Sequence, residues 1–90
     1  MAVIVMQEIK GMTQQQYDQA TAMMGGKLPP GALVHTASVM EGGMRIVDVW
    51  ESQATFEKFA QETLAQMAGA LGLTSQPEVK IWSAHNFMHV

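Results

Sequence analysis

The apolar residues of this chain recur with helical spacing in two stretches, and each stretch lies between runs of β-prone residues that read as strands. Residues 2 to 9 form the first such run, rich in Val and Ile and turning polar at Gln7 and Glu8, and Gly11 breaks it. A helix follows. Thr13 and Gln16 have the spacing of a capping box, Met12 and Tyr17 that of a hydrophobic staple, and Tyr17, Ala20 and Met24 continue the stripe until Gly25-Gly26 ends it. The segment Lys27-Leu28-Pro29-Pro30-Gly31 is a stiff connector, because two prolines fit neither a helix interior nor a central strand. Residues 32 to 40 and 45 to 51 are strand-like and flank Glu41-Gly42-Gly43-Met44, a hairpin signal. Ser52 can cap a second helix, in which Phe56, Phe59, Ala60, Leu64, Met67 and Leu71 form the apolar stripe and Gly72 is the stop. Pro77 precedes a last strand, expected from Val79 to about Phe87.

The order β-α-β-β-α-β predicts an α+β fold of ferredoxin-like type, a four-stranded antiparallel sheet with two helices on one face. Ninety residues suit one domain, 1–90, and 48% hydrophobic content is enough for a packed core. A domain of this size buries a modest share of its surface and has no cysteine for a disulfide, so association is a natural source of stability. A homodimer is expected through the sheet face that the helices leave open.

Charge excludes one class of partner. The net charge is −3 and the five cations, Lys10, Lys27, Arg45, Lys58 and Lys80, are dispersed, so no nucleic acid is expected. The N-terminal apolar run is too short to span a membrane and lacks a basic leader, so no membrane partner and a cytoplasmic location are expected. Nine methionines fit either core filling or an adaptable ligand cavity.

An even-length hairpin loop sets the register that matters. With Gly42-Gly43 as the turn, Val39 pairs with Ile46, Ala37 with Asp48 and His35 with Trp50, and all six side chains share one face. Val47 and Val49 share the other face, and their β-branched surface is the one expected to receive the helices. His35, Asp48 and Trp50 would then lie on the open face, with Ala37 leaving space beside them. His35 and Asp48 are the candidate catalytic pair, the carboxylate orienting the imidazole and making it more basic. A structural hydrogen bond at the dimer interface is the alternative. Trp50 could stack on an aromatic ligand or anchor the interface. Ala37, Ile46 and His85 complete the candidate substrate-binding set.

His85 and His89 would stand about 13 Å apart on a strand, and no carboxylate or Cys completes a ligand spacing with them, so no metal is expected. Arg45 and Glu51 read as solvated rim charges, and Tyr17 as a staple.

The run Val47-Asp48-Val49-Trp50-Glu51-Ser52, with Phe56 and Phe59 on the helix that follows, resembles the dimeric α+β barrel superfamily of antibiotic-biosynthesis and haem-degrading monooxygenases. It also looks like the small stand-alone members, in which a Pro-Pro-Gly connector leads into a His-containing strand. The resemblance implies two protomers whose sheets face each other, and a pocket lined by the third-strand Trp, here Trp50, that oxidises an aromatic substrate without metal or flavin. Where the monooxygenases tend to carry Asn four residues before this Trp, the chain has Ile46. Where the haem-degrading branch has a ligating His ten residues after it, Ala60 stands, and no cofactor is expected. Two functions follow: a dimeric barrel that binds a small apolar or aromatic ligand, acting as a cofactor-independent monooxygenase on an aromatic or quinone-like compound, or a non-enzymatic dimerisation or sensing domain.

Overall fold

The computed structural model describes residues 1–89, in the order β1 (Val3–Lys10), α1 (Gln14–Met23), β2 (Ala32–Met40), β3 (Gly43–Trp50), α2 (Gln53–Phe59), α3 (Ala65–Leu71) and β4 (Glu78–Ser83). A π-helical turn, Ala60–Leu64, joins α2 to α3, so together they form the second helical arm. The strands make one antiparallel sheet in the order β2-β3-β1-β4. This is the expected split βαβ arrangement.

Local chemistry explains the helix ends. Thr13 and Ser52 each accept a hydrogen bond from the backbone three residues on, and the side chains of Gln16 and Thr55 accept in return from the cap N–H. At the far end of α1, Gly26 N–H donates to Thr21 and Gly25 N–H to Ala22, the paired bonds of a Schellman motif, with both glycines at positive φ. Gly72, also left-handed, closes α3.

The hairpin differs from the expected one by one residue. Its loop is Glu41-Gly42, and Gly43 already belongs to β3, facing Met40. Only Gly42 has positive φ, so the turn is not of the primed type. Gly43 is needed for another reason, because a Cβ there would collide with the Ile9 carbonyl oxygen of the neighbouring strand. The pairs become Val39 with Met44, Ala37 with Ile46 and His35 with Asp48, two residues from the expected register. Since the shift is even, the same side chains still share a face.

Which face the helices cover is the main correction. Val3, Val5, Gln7 and Ile9 of β1 alternate into the same layer as Met44, Ile46, Asp48 and Trp50 of β3, and these eight are buried. Trp50 and Val5 pack with Phe56, flanked by Phe59 and Leu64, while Ile9, Met44 and Ile46 pack with Met12 and Ala20. The helices therefore lie on the His35, Asp48 and Trp50 side. Large aromatic surface on α2 finds its complement in the Trp50 ring, with centroids 5.5 Å from Phe56 and 5.2 Å from Phe59. Val47 and Val49 lie on the open face beside Ile4, Met6 and Trp82.

The last strand is also shorter than expected. β4 pairs only with β1, whose first paired residue, Val3, faces Ser83, and one further bond from Ala84 N–H to Ala2 ends the ladder. Beyond it no partner strand extends the pairing among the described residues, and His85 and His89 lie outside the sheet. No described helix is long and apolar enough to cross a membrane.

Candidate functional site

Register places His35 on edge strand β2 directly across from Asp48 on β3, and strand alternation puts Trp50 two residues further along the same face. Helix α1 crosses this layer and brings Tyr17 down onto it. The result is a continuous hydrogen-bonded chain: Tyr17 hydroxyl to His35 Nε2 at 2.5 Å, His35 Nδ1 to Asp48 Oδ1 at 2.7 Å, and Trp50 Nε1 to Asp48 Oδ2 at 3.4 Å. The Tyr17 and His35 rings lie within 6° of parallel.

Proton positions follow from the end groups. An ionised carboxylate only accepts and an indole N–H only donates, so Trp50 and His35 Nδ1–H both donate to Asp48. That leaves the lone pair of neutral His35 on Nε2, where it accepts from the Tyr17 hydroxyl. Asp48 is buried, whereas the His35 side chain is 37% exposed, so the chain runs from a dry interior to a wet rim. The hydrogen bond to Asp48 raises the His35 pKa above its ordinary value, partial burial opposes this, and the charge of Asp48 adds to the rise.

Beside the chain a cavity of about 200 Å³ lies between helices and sheet, walled by Tyr17, His35, Ile46, Asp48, Trp50 and Phe59 and closed at one end by the Gly26–Pro29 connector. A second, larger cavity of about 490 Å³ lies on the other side of the second helical arm, under residues 73 to 77. Gln7, Ile9, Met12, Leu64 and Met67 border both. Leu64 belongs to the π-helical turn, in which Ala65 N–H bonds Ala60, and such turns recur where a helix is reshaped around a site.

The cavity thus gathers His35, Asp48, Trp50 and Ile46, four of the six residues singled out from sequence. Ala37 shares the face but lies exposed on the edge strand, outside the cavity lining. His85, beyond the end of β4, is exposed and also outside it, because the strand that would have carried it inward stops at Ser83. Among the described residues no three His, Asp or Glu side chains converge as metal ligands. Tyr17 and Gln7 were not among the candidates. Tyr17 keeps its staple position, packed on the cluster that contains Met12, and carries the outer end of the hydrogen-bonded chain as well. Its signal in the sequence was the polar tip of a residue otherwise placed for packing. Gln7 was visible as a polar residue on the apolar side of a strand.

A scan of protein-family models and a search of curated proteins give no match. Solved structures do. A provisionally assigned antibiotic biosynthesis monooxygenase from Caulobacter crescentus CB15 is similar over 94% of this chain and 91% of its own, with TM-score 0.69 and 14% identity. A second protein of the same provisional assignment, from Chloroflexus aurantiacus J-10-fl, has TM-score 0.69 and 14% identity over 99% of this chain and 98% of its own. SnoaB, a cofactor-independent oxygenase from Streptomyces nogalater, has TM-score 0.64 and 18% identity over 97% and 95% of the two chains. At these identities the likeness establishes the fold alone: this chain has the ferredoxin-like fold that these proteins share.

Proposed function

We propose that this protein oxidises an aromatic or quinone-like compound with molecular oxygen, as a cofactor-independent monooxygenase, in the cavity between helices and sheet. The supporting observation is the Tyr17–His35–Asp48–Trp50 chain opening onto an apolar space with an aromatic wall. SnoaB, with the same fold, is a cofactor-independent oxygenase. The site is a pocket formed within a single chain and open to solvent at its rim, which favours ligand chemistry over a purely structural use of these residues.

The residues assign the steps. A substrate with an acidic ring methylene gives one proton to the Tyr17 oxygen as the Tyr17 proton passes to His35 Nε2, and Asp48 stabilises the imidazolium that forms. The carbanion reduces oxygen, a C–O bond forms, and the relay returns a proton to give a hydroperoxide. Loss of the second ring hydrogen with cleavage of the O–O bond leaves a ketone and releases water. Both oxygen atoms are accounted for, and the substrate supplies all the electrons.

Anthrone, whose ring methylene is acidic, is a direct probe. With chelator present, the protein is expected to consume one oxygen per anthraquinone formed, and His35→Ala to lower the rate by about 10²-fold or more. Oxygen uptake equal to that of buffer alone would end the reading.

The homodimer is part of the proposal, through the other face of the sheet. Trp82, Ile4, Val49 and Val34 form one row across all four strands, with Met6 and Val47 in the next row, a surface poorly suited to water. A second copy is the occupant that matches this face in kind. Light scattering at micromolar concentration is expected to give twice the chain mass, and Val47→Asp, at the centre of the face, to give the monomer. A wild-type monomer would refute it.

A further inference from the structure

Gln7 is the residue that the proposed chemistry leaves unused. It sits on the helix side of β1 between Val5 and Ile9, is 3% exposed, and borders both cavities. Its carboxamide forms no side-chain hydrogen bond with any described residue, yet none of its polar atoms is sealed from open space. Its amide is therefore open to the cavities that it borders. Val or Ile there would complete the apolar stripe of β1, whereas the amide puts a polar group without a protein partner on an apolar wall. A ligand oxygen would supply that partner.

Its position defines what that partner is. Gln7 pairs with Ile46, while Asp48 pairs with Val5, so Gln7 and Asp48 are diagonal neighbours on one face. A ring system with one polar group at the Tyr17 hydroxyl must extend past Trp50 and Ile46 toward Ile9, Met12 and Met67. The surfaces along that path are apolar except for Gln7. We infer that Gln7 is a specificity-determining residue, its amide N–H donating to an oxygen on the side of the ligand remote from the Tyr17–His35 end. The ligand class is a fused-ring aromatic whose reacting carbon lies at the Tyr17 end of one ring and whose oxygen lies at the opposite position of that ring. This inference rests on the reading of the cavity as an aromatic-ligand site. It also adds to it: when the ligand loses a proton at the relay, charge spreads through the ring to the remote oxygen, where Gln7 N–H binds it more strongly.

The test compares two probes of nearly equal size, 4-methoxy-1-naphthol and 4-ethyl-1-naphthol, which differ by an oxygen for a methylene at the remote position. By titration calorimetry the wild type is expected to bind the methoxy compound about fivefold to tenfold more tightly. Gln7→Leu is expected to remove that preference while still binding the ethyl compound. Without ligand, the Gln7→Leu melting temperature is expected to equal or exceed that of the wild type, since no fold contact of the amide is lost. Equal affinities in the wild type, a preference that survives in Gln7→Leu, or a lowered melting temperature in the free variant would each overturn the role of Gln7 alone. Failure of both probes to bind the wild type would overturn it together with the ligand-site reading.

Discussion

Asp48→Asn is expected to lower anthrone turnover by about 10²- to 10⁴-fold while the protein stays folded, the largest functional effect of any single conservative change. The argument turns on donors and acceptors. Asp48 receives two donors, His35 Nδ1–H at 2.7 Å and Trp50 Nε1–H at 3.4 Å, and the indole cannot reverse its role. An asparagine that turns its oxygen to Trp50 presents its NH₂ to His35 Nδ1, which must then carry no proton. The imidazole proton moves to Nε2, the atom that has to accept from Tyr17, and the relay is blocked. Turning the asparagine the other way sets NH₂ against the indole N–H. Neither orientation serves.

The same substitution has a pH signature. His35 must be neutral to act as a base, so wild-type turnover should fall as pH drops through its raised pKa. Without the carboxylate, the residual activity of Asp48→Asn should keep its acid limb to lower pH. Stability has the opposite sense: a pKa raised by folding contributes stability that is complete below the unfolded value, about 6.5, and is lost as pH rises through the folded one. A pH–rate profile whose acid limb does not move in the variant would remove His35 from the mechanism.

Trp50→Ala is expected to cost about 3 to 5 kcal/mol, a large part of the roughly 5 to 15 kcal/mol available to a domain. Trp50 is 1% exposed and holds Phe56 and Phe59 by ring contacts, so its removal leaves a void that opens into the existing cavity. It also deprives buried Asp48 of one of its two donors. Trp50→Phe restores most of the packing and none of the hydrogen bond, so it should lie between the two. Urea midpoints would measure all three proteins, with Trp82, half exposed on the other face, as the fluorescent reporter that remains. A Trp50→Ala midpoint within error of the wild type would mean that the helices do not rest on this face.

The local chemistry of this chain was legible in its residues. The capping box at Thr13 depends on groups three positions apart and the cap at Ser52 on its own residue type, so both helix starts could be read directly; that Thr55 reciprocates at Ser52, outside the usual Glu or Gln pattern, came from the structure. The common face of His35, Asp48 and Trp50 was legible too, because strand alternation has period two and an even loop preserves it even when the turn slips by one residue. What strand periodicity cannot do is say which of two apolar faces looks inward. Ile46 and Trp50 alternate with Val47 and Val49, and preference for β-branched surface under a helix pointed to the wrong side. The fit of Phe56 and Phe59 around the Trp50 ring decided it, a matter of three-dimensional complementarity between segments. The same holds for Tyr17, which reaches His35 only because α1 crosses the sheet at that point, and for the length of β4, set by where β1 stops offering hydrogen bonds. Contacts between neighbours in the chain are written in its residues, whereas contacts between distant segments exist only once the layers have packed.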